Sequence, residues 1–107
     1  MSEGCCVVFI TVDSRENAEK IADALVSELL AACCNLVPGL LSIYRWKGEI
    51  HRDPEVLLMA KTRRDLFERL RERAVALHGY EVPEVVALPI VAGHEPYLDW
   101  IRGETVE

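Results

Sequence analysis

Apolar positions along the chain fall into two rhythms. Residues 5–12, Cys-Cys-Val-Val-Phe-Ile-Thr-Val, are apolar or β-branched at odd and even positions alike, which predicts a strand covered on both faces. Asp13 and Ser14 then offer a helix cap, and Ala18, Ile21, Ala22, Leu25 and Leu29 recur at helical spacing, predicting a helix over 14–32. Asn35 to Gly39 interrupts the pattern. Strand alternation resumes in 40–46 with a Leu41, Ile43, Arg45 face and a Ser42, Tyr44, Trp46 face, and Pro38 assigns this part of the chain to a sheet edge or a bulge. Lys47-Gly48 makes a turn, and 55–61 forms a second largely buried strand, so 40–61 is a long hairpin.

Thr62 and Asp65 form a capping-box variant ahead of Leu66, Phe67, Leu70, Ala74 and Leu77, which predicts a helix over 63–78 that stops at Gly79. A strand over 85–91 follows, with Pro89 again indicating an edge or bulge. Pro96 suits the first turn of a short terminal helix over 97–102. The order β-α-β-β-α-β plus a short C-terminal helix predicts an α+β, ferredoxin-like domain over 1–107. Right-handed crossovers put both long helices on one face of its sheet. The strands are apolar on both faces, and a monomer does not tolerate a bare apolar face of that size, so a second copy of the chain is expected to cover it.

Composition narrows the classes of function. The 107 residues include 12 basic and 18 acidic side chains, a formal charge of −6, and no apolar run approaches the length of a membrane span. Without a basic stretch free of acids, nucleic acid is excluded as an expected partner, and so is a membrane. Met1 to Gly4 carries no secretory signal pattern, so the expected location is cytoplasmic. The arginines of 63–73 alternate with Asp65, Glu68 and Glu72, the composition of a solvated helix face.

Four cysteines form two adjacent pairs, Cys5-Cys6 and Cys33-Cys34, with no C-x-x-C spacing. Neighbours on a strand point to opposite sides, so each pair splits between faces, as expected for reduced structural thiols. His78 admits two readings. It is a metal ligand, since imidazole suits copper and zinc, or it is a histidine meeting the last carbonyls of a helix. His51 and His94 lack carboxylate or thiol neighbours at ligand spacing. No G-x-S-x-G, P-loop or H-E-x-x-H motif occurs, so no enzymatic activity and no organic cofactor are expected.

Several blocks carry a family resemblance: 31–39 (Ala-Ala-Cys-Cys-Asn-Leu-Val-Pro-Gly), 42–50 (Ser-Ile-Tyr-Arg-Trp-Lys-Gly-Glu-Ile), 55–62, 78–89 (His-Gly-Tyr-Glu-Val-Pro-Glu-Val-Val-Ala-Leu-Pro) and 97–101. In this order and spacing they resemble the CutA divalent-cation tolerance family. The resemblance implies a tight homotrimer, a cytosolic role in tolerance of divalent cations, and binding of copper(II) or another divalent cation. The family's copper site uses a cysteine late in the first strand and two consecutive histidines. Here those positions hold Ile10 and Leu77, leaving His78 as the one ligand carried over. Tyr44, Trp46, Lys61, Tyr80, Glu81 and Glu84 lie in blocks that border a cleft between subunits in the family. They fit either a ligand cleft or the register of an interface, and the alternative function is a trimer, similar to the PII-type regulators, that binds a small effector there.

Overall fold

The protein is described by a computed structural model covering residues 4–105. Strand β1 (Cys5–Val12) has the bounds its apolar run predicts. Helix α1 (Arg15–Ser27) begins at Ser14, whose hydroxyl accepts the Asn17 N–H at 3.1 Å, while the Asn17 side chain donates to Asp13 at 2.9 Å. The helix stops well short of residue 32. Leu29 adopts φ 64°, the Leu30 and Ala31 amides both donate back to the Leu25 carbonyl, and the chain turns into the sheet.

Strands β2 (Cys33–Trp46) and β3 (Glu49–Arg63) form a hairpin that is longer at its base than the sequence pattern predicts. Their pairing slips between Val37 and Leu40: Val37 faces Leu57 and Leu40 faces Glu55, so Pro38 and Gly39 stand opposite Val56 alone. This is a β-bulge. Gly39 sits at φ 86°, and Pro38, having no amide hydrogen, needs no ladder partner. At the far end Lys47 (φ 51°) and Gly48 (φ 81°) both take the left-handed conformation required of a two-residue hairpin turn.

After β3, Arg64–Leu66 forms a single 3-10 turn before helix α2 (Phe67–Leu77). The expected Thr62 and Asp65 capping box does not form, because Thr62 is fully buried at the end of β3 and Asp65 pairs with Arg63 at 3.2 Å. Strand β4 (Val85–Pro89) is two residues shorter than predicted, and helix α3 (Glu95–Gly103) carries Pro96 in its first turn. The sheet order is β2-β3-β1-β4, with every neighbouring pair antiparallel, which is the ferredoxin-like arrangement. Pro38 and Pro89 lie in the two edge strands, and Pro54 of β3 lies beyond the β1 ladder, which ends at Val56.

The two faces of this sheet differ. Cys6, Val8, Ile10, Val12, Leu58 and Ala60 point to one side, where Ile21 and Leu25 of α1 and Leu70 and Ala74 of α2 complete the main core. On the other side α3 covers one end, burying Leu98 and Ile101 against Cys5. The remainder of that side is open: Val7, Phe9, Leu57 and Met59 are half-buried, and Val37, Val86 and Leu88 are exposed. The distal hairpin projects beyond the helices, giving extents of 47 × 25 × 22 Å, with Leu41, Ile43 and Ile50 exposed along it. No helix among the described residues is long and apolar enough to cross a membrane.

Candidate functional site

Residues directly opposite each other in a ladder share a sheet face. Before the bulge, odd residues of β2 share a face with odd residues of β3 (Val37 with Leu57). After it, Ser42, Tyr44 and Trp46 face Asp53, His51 and Glu49. The extra residue therefore moves the aromatic side of β2 onto the face that carries Glu55 and Thr11. There the loop following α2 folds over the end of β1 and closes a cleft of about 690 Å³ lined by Tyr44, Trp46, Glu55, Tyr80, Glu81 and Glu84, with Thr11 and Ser42 among its remaining walls.

Hydrogen bonds hold this cleft in shape. The Tyr80 hydroxyl donates to the nearly buried Glu55 carboxylate at 2.5 Å, Thr11 Oγ1 donates to Glu84 at 3.3 Å, and the Tyr44 hydroxyl donates to Asp53. Tyr44 also stacks on His51 at 5.3 Å between ring centroids. Burial first, and then the bond to Glu55, pushes the Tyr80 phenol above its ordinary pKa. The Tyr44 phenol is raised mainly by its bond to Asp53.

His78 is the residue that ends α2, yet its ring does not turn back to the last helical carbonyls. Nε2 lies 2.8 Å from the Thr11 carbonyl oxygen of β1, and Nδ1 accepts the Tyr80 amide N–H at 3.2 Å. An amide can only donate, so Nδ1 is the acceptor and Nε2 carries the hydrogen. Both ring nitrogens are thus engaged in tying the loop to β1, and a metal ion at His78 must displace one of those bonds. The ring also packs 4.6 Å from Tyr80. Among the described residues no group of three or more His, Cys, Asp or Glu side chains is arranged to hold a metal ion.

Five of the six cleft candidates from the sequence, Tyr44, Trp46, Tyr80, Glu81 and Glu84, meet in one place. Lys61 does not join them. Its ammonium donates to Asn35 Oδ1 at 2.7 Å and lies 5.9 Å from the Tyr97 ring. It shares a face with Glu55 but sits about 20 Å further along β3 at the rise of an extended strand. Thr11, Ser42 and Glu55 line the cleft without having been singled out in the sequence. Glu55 did carry a signal, as the one carboxylate opening an otherwise apolar strand.

The four cysteines are free. The pairs split as strand geometry dictates, Cys6 and Cys34 toward the main core and Cys5 toward α3. Burial raises the thiols of Cys5 and Cys6 and pushes Cys34 to about 12, so these three are held as thiols at neutral pH.

The family model described as CutA1 divalent ion tolerance protein matches residues 6–104. The chain belongs to the CutA1 family. The divalent-cation tolerance protein CutA of Thermus thermophilus is 60% identical over 99 residues, covering 92% of this chain and 96% of that one. Human protein CutA is 47% identical over 97 residues, and the chain spans only 54% of its length. Among solved structures, Thermus thermophilus CutA1 superposes with TM-score 0.93 at 58% identity, covering 95% of this chain and 99% of that one. Rice CutA1 gives 0.96 at 44% identity, covering 99% and 97%. CutA1 membership gives the chain a general role in divalent-cation tolerance.

Proposed function

We propose that the protein serves divalent-cation tolerance without catalysis, as a cytoplasmic homotrimer in which copper(II) or another divalent cation is held by ligands gathered from more than one subunit. The observation that carries this reading is the open apolar sheet face, with Phe9, Leu57 and Met59 half-buried, Val86 and Leu88 exposed, and the distal hairpin extending past the body. Ligands drawn from several subunits are favoured because His78 already uses both ring nitrogens within one chain. The four free thiols favour a reducing compartment.

Native mass spectrometry during a copper(II) titration tests this. The expected result is a mass of three subunits that takes up stoichiometric copper, with uptake unchanged in His78→Ala. A monomer mass at about 10 μM protein rejects the assembly, and a trimer that takes up no copper until large excess rejects the cation site. A second reading is favoured by the cleft: its volume is that of a small-molecule site, with aromatic walls and a few fixed polar groups, so an effector bound there is the route by which the trimer reports or acts.

A further inference from the structure

The four thiols do not share one environment. Cys5 and Cys6 are buried, and Cys34 faces the main core, where burial pushes its thiol to about 12. Cys33 is half-buried on the opposite side of the sheet, directly across the ladder from Lys61. Asn35 Oδ1 accepts from both, from the Cys33 thiol at 3.6 Å and from the Lys61 ammonium at 2.7 Å, so sulfur and nitrogen lie no further apart than those two lengths together. A partly exposed thiol beside a cation is the setting in which cysteines react with peroxides. A sulfenic acid formed there has no second thiol of the chain to condense with. Cys34 points through the sheet, and Cys5, although on the same face, lies on β1 beyond the intervening β3, opposite Arg63. The nucleophile beside Cys33 is the Lys61 amine, held between Asn35 and the Tyr97 ring of α3. Every group invoked belongs to one chain, at the end of the sheet that α3 covers, so a neighbouring subunit is not needed to complete the cluster.

We propose that Cys33 and Lys61 are a peroxide-dependent modification site, at which the Cys33 sulfur and the Lys61 nitrogen become joined by a reversible S–N bond. In the first step the Cys33 thiolate attacks a hydroperoxide and the O–O bond breaks. The sulfur, oxidised by two electrons, becomes a sulfenic acid, and the reduced peroxide leaves, protonated, as water or an alcohol. In the second step the Lys61 amine, having passed its extra proton to solvent, attacks that sulfur. The S–N bond forms, the S–O bond breaks, and hydroxide leaves with an amine proton as water. The product lacks two hydrogens relative to the reduced chain, ties the base of β2 to β3, and takes the Lys61 charge away from Asn35 and Tyr97. External thiol reverses it: one molecule attacks the sulfur and frees the amine, and a second attacks the resulting mixed disulfide and frees Cys33.

Peptide mapping by mass spectrometry of the full-length protein tests this, after exposure of the reduced chain to about 1 mM hydrogen peroxide and alkylation of the remaining thiols. The expected product is a tryptic peptide pair joined through Cys33 and Lys61, uncleaved after Lys61, about 2 Da lighter than its two parts and separated again by dithiothreitol. Lys61→Arg keeps a cation beside Asn35 but removes the nucleophilic amine, and is expected to give no linked pair, with Cys33 carried on to the sulfinic acid. Asn35→Ala removes the acceptor that gathers the two side chains and is expected to lower the yield several-fold. Thermal midpoints confirm that both variants fold. The proposal is overturned by a Cys33 that stays reduced, by a Cys33 that reaches the sulfinic acid equally in the parent and in Lys61→Arg with no linked pair, or by a Cys33 found in a disulfide between two chains.

Discussion

Strands β2 and β3 pass through two different surroundings, although the same apolar alternation continues along both. In the body of the molecule, Leu58 and Ala60 of β3 are completely buried beneath α1 and α2. In the distal hairpin, Ile43 and Ile50 are 57% and 66% exposed, because no element of the chain lies over them. Residue type and strand geometry are alike in the two regions, so the difference lies in what is stacked on each. The body is a finished core, and the arm is a prepared surface.

The sharpest break between the regions is a pair of truncations. Leu58→Ala leaves a cavity in the main core and is expected to cost about 2–5 kcal/mol by denaturant unfolding. Where the arm meets the body, Tyr80→Phe removes the donor to Glu55, a carboxylate with little access to water, and is expected to cost about 1–3 kcal/mol. The same substitution carries a pH signature. The folded-state pKa of Tyr80 is raised, so its contribution is complete below the unfolded tyrosine value of about 10 and is lost as pH rises through the folded value. Tyr80→Phe is therefore expected to lose less stability than the parent between neutral and strongly alkaline pH.

Within the body, Ser14→Ala removes the cap of α1 and is expected to cost about 1 kcal/mol in the same assay. The smallest effect belongs to the arm: Ile43→Ala is expected to change the stability of a separate subunit by no more than about 0.5 kcal/mol. A larger loss that grows with protein concentration would instead report that the arm is covered in solution, sharpening the contrast into one between intramolecular and intermolecular burial.

The body was the more legible region. The bounds of β1 follow from an unbroken apolar run, and the edge positions of β2 and β4 follow from Pro38 and Pro89, because a missing amide hydrogen has few permitted places. Helix α1 was overextended because Leu29 to Ala32 continue a helical apolar pattern, while the left-handed backbone at Leu29 ends the helix. The base of β2 was missed because Asn35, Pro38 and Gly39 read as breakers, whereas a bulge absorbs the latter two inside a continuous strand. In the site, alternation correctly put Tyr44 and Trp46 on one face. It could not place Lys61, since sharing a face says nothing about distance along the strand, nor show that the His78 ring bridges to β1, which depends on the path of a loop.

The bulge also sets a parity rule for changes in chain length. Deleting Gly39 alone would leave Pro38 opposite Val56 and Leu40 still opposite Glu55, closing the bulge into a regular ladder with Ser42, Tyr44 and Trp46 kept on the Glu55 face. Deleting both Pro38 and Gly39 would instead set Leu40 opposite Val56 and, in an unbroken ladder, turn Leu41, Ile43 and Arg45 onto the Glu55 face in place of Ser42, Tyr44 and Trp46. Loss of one residue at the bulge is thus compatible with the cleft and loss of two is not, so a two-residue deletion at Pro38-Gly39 would be more damaging than a single-residue one.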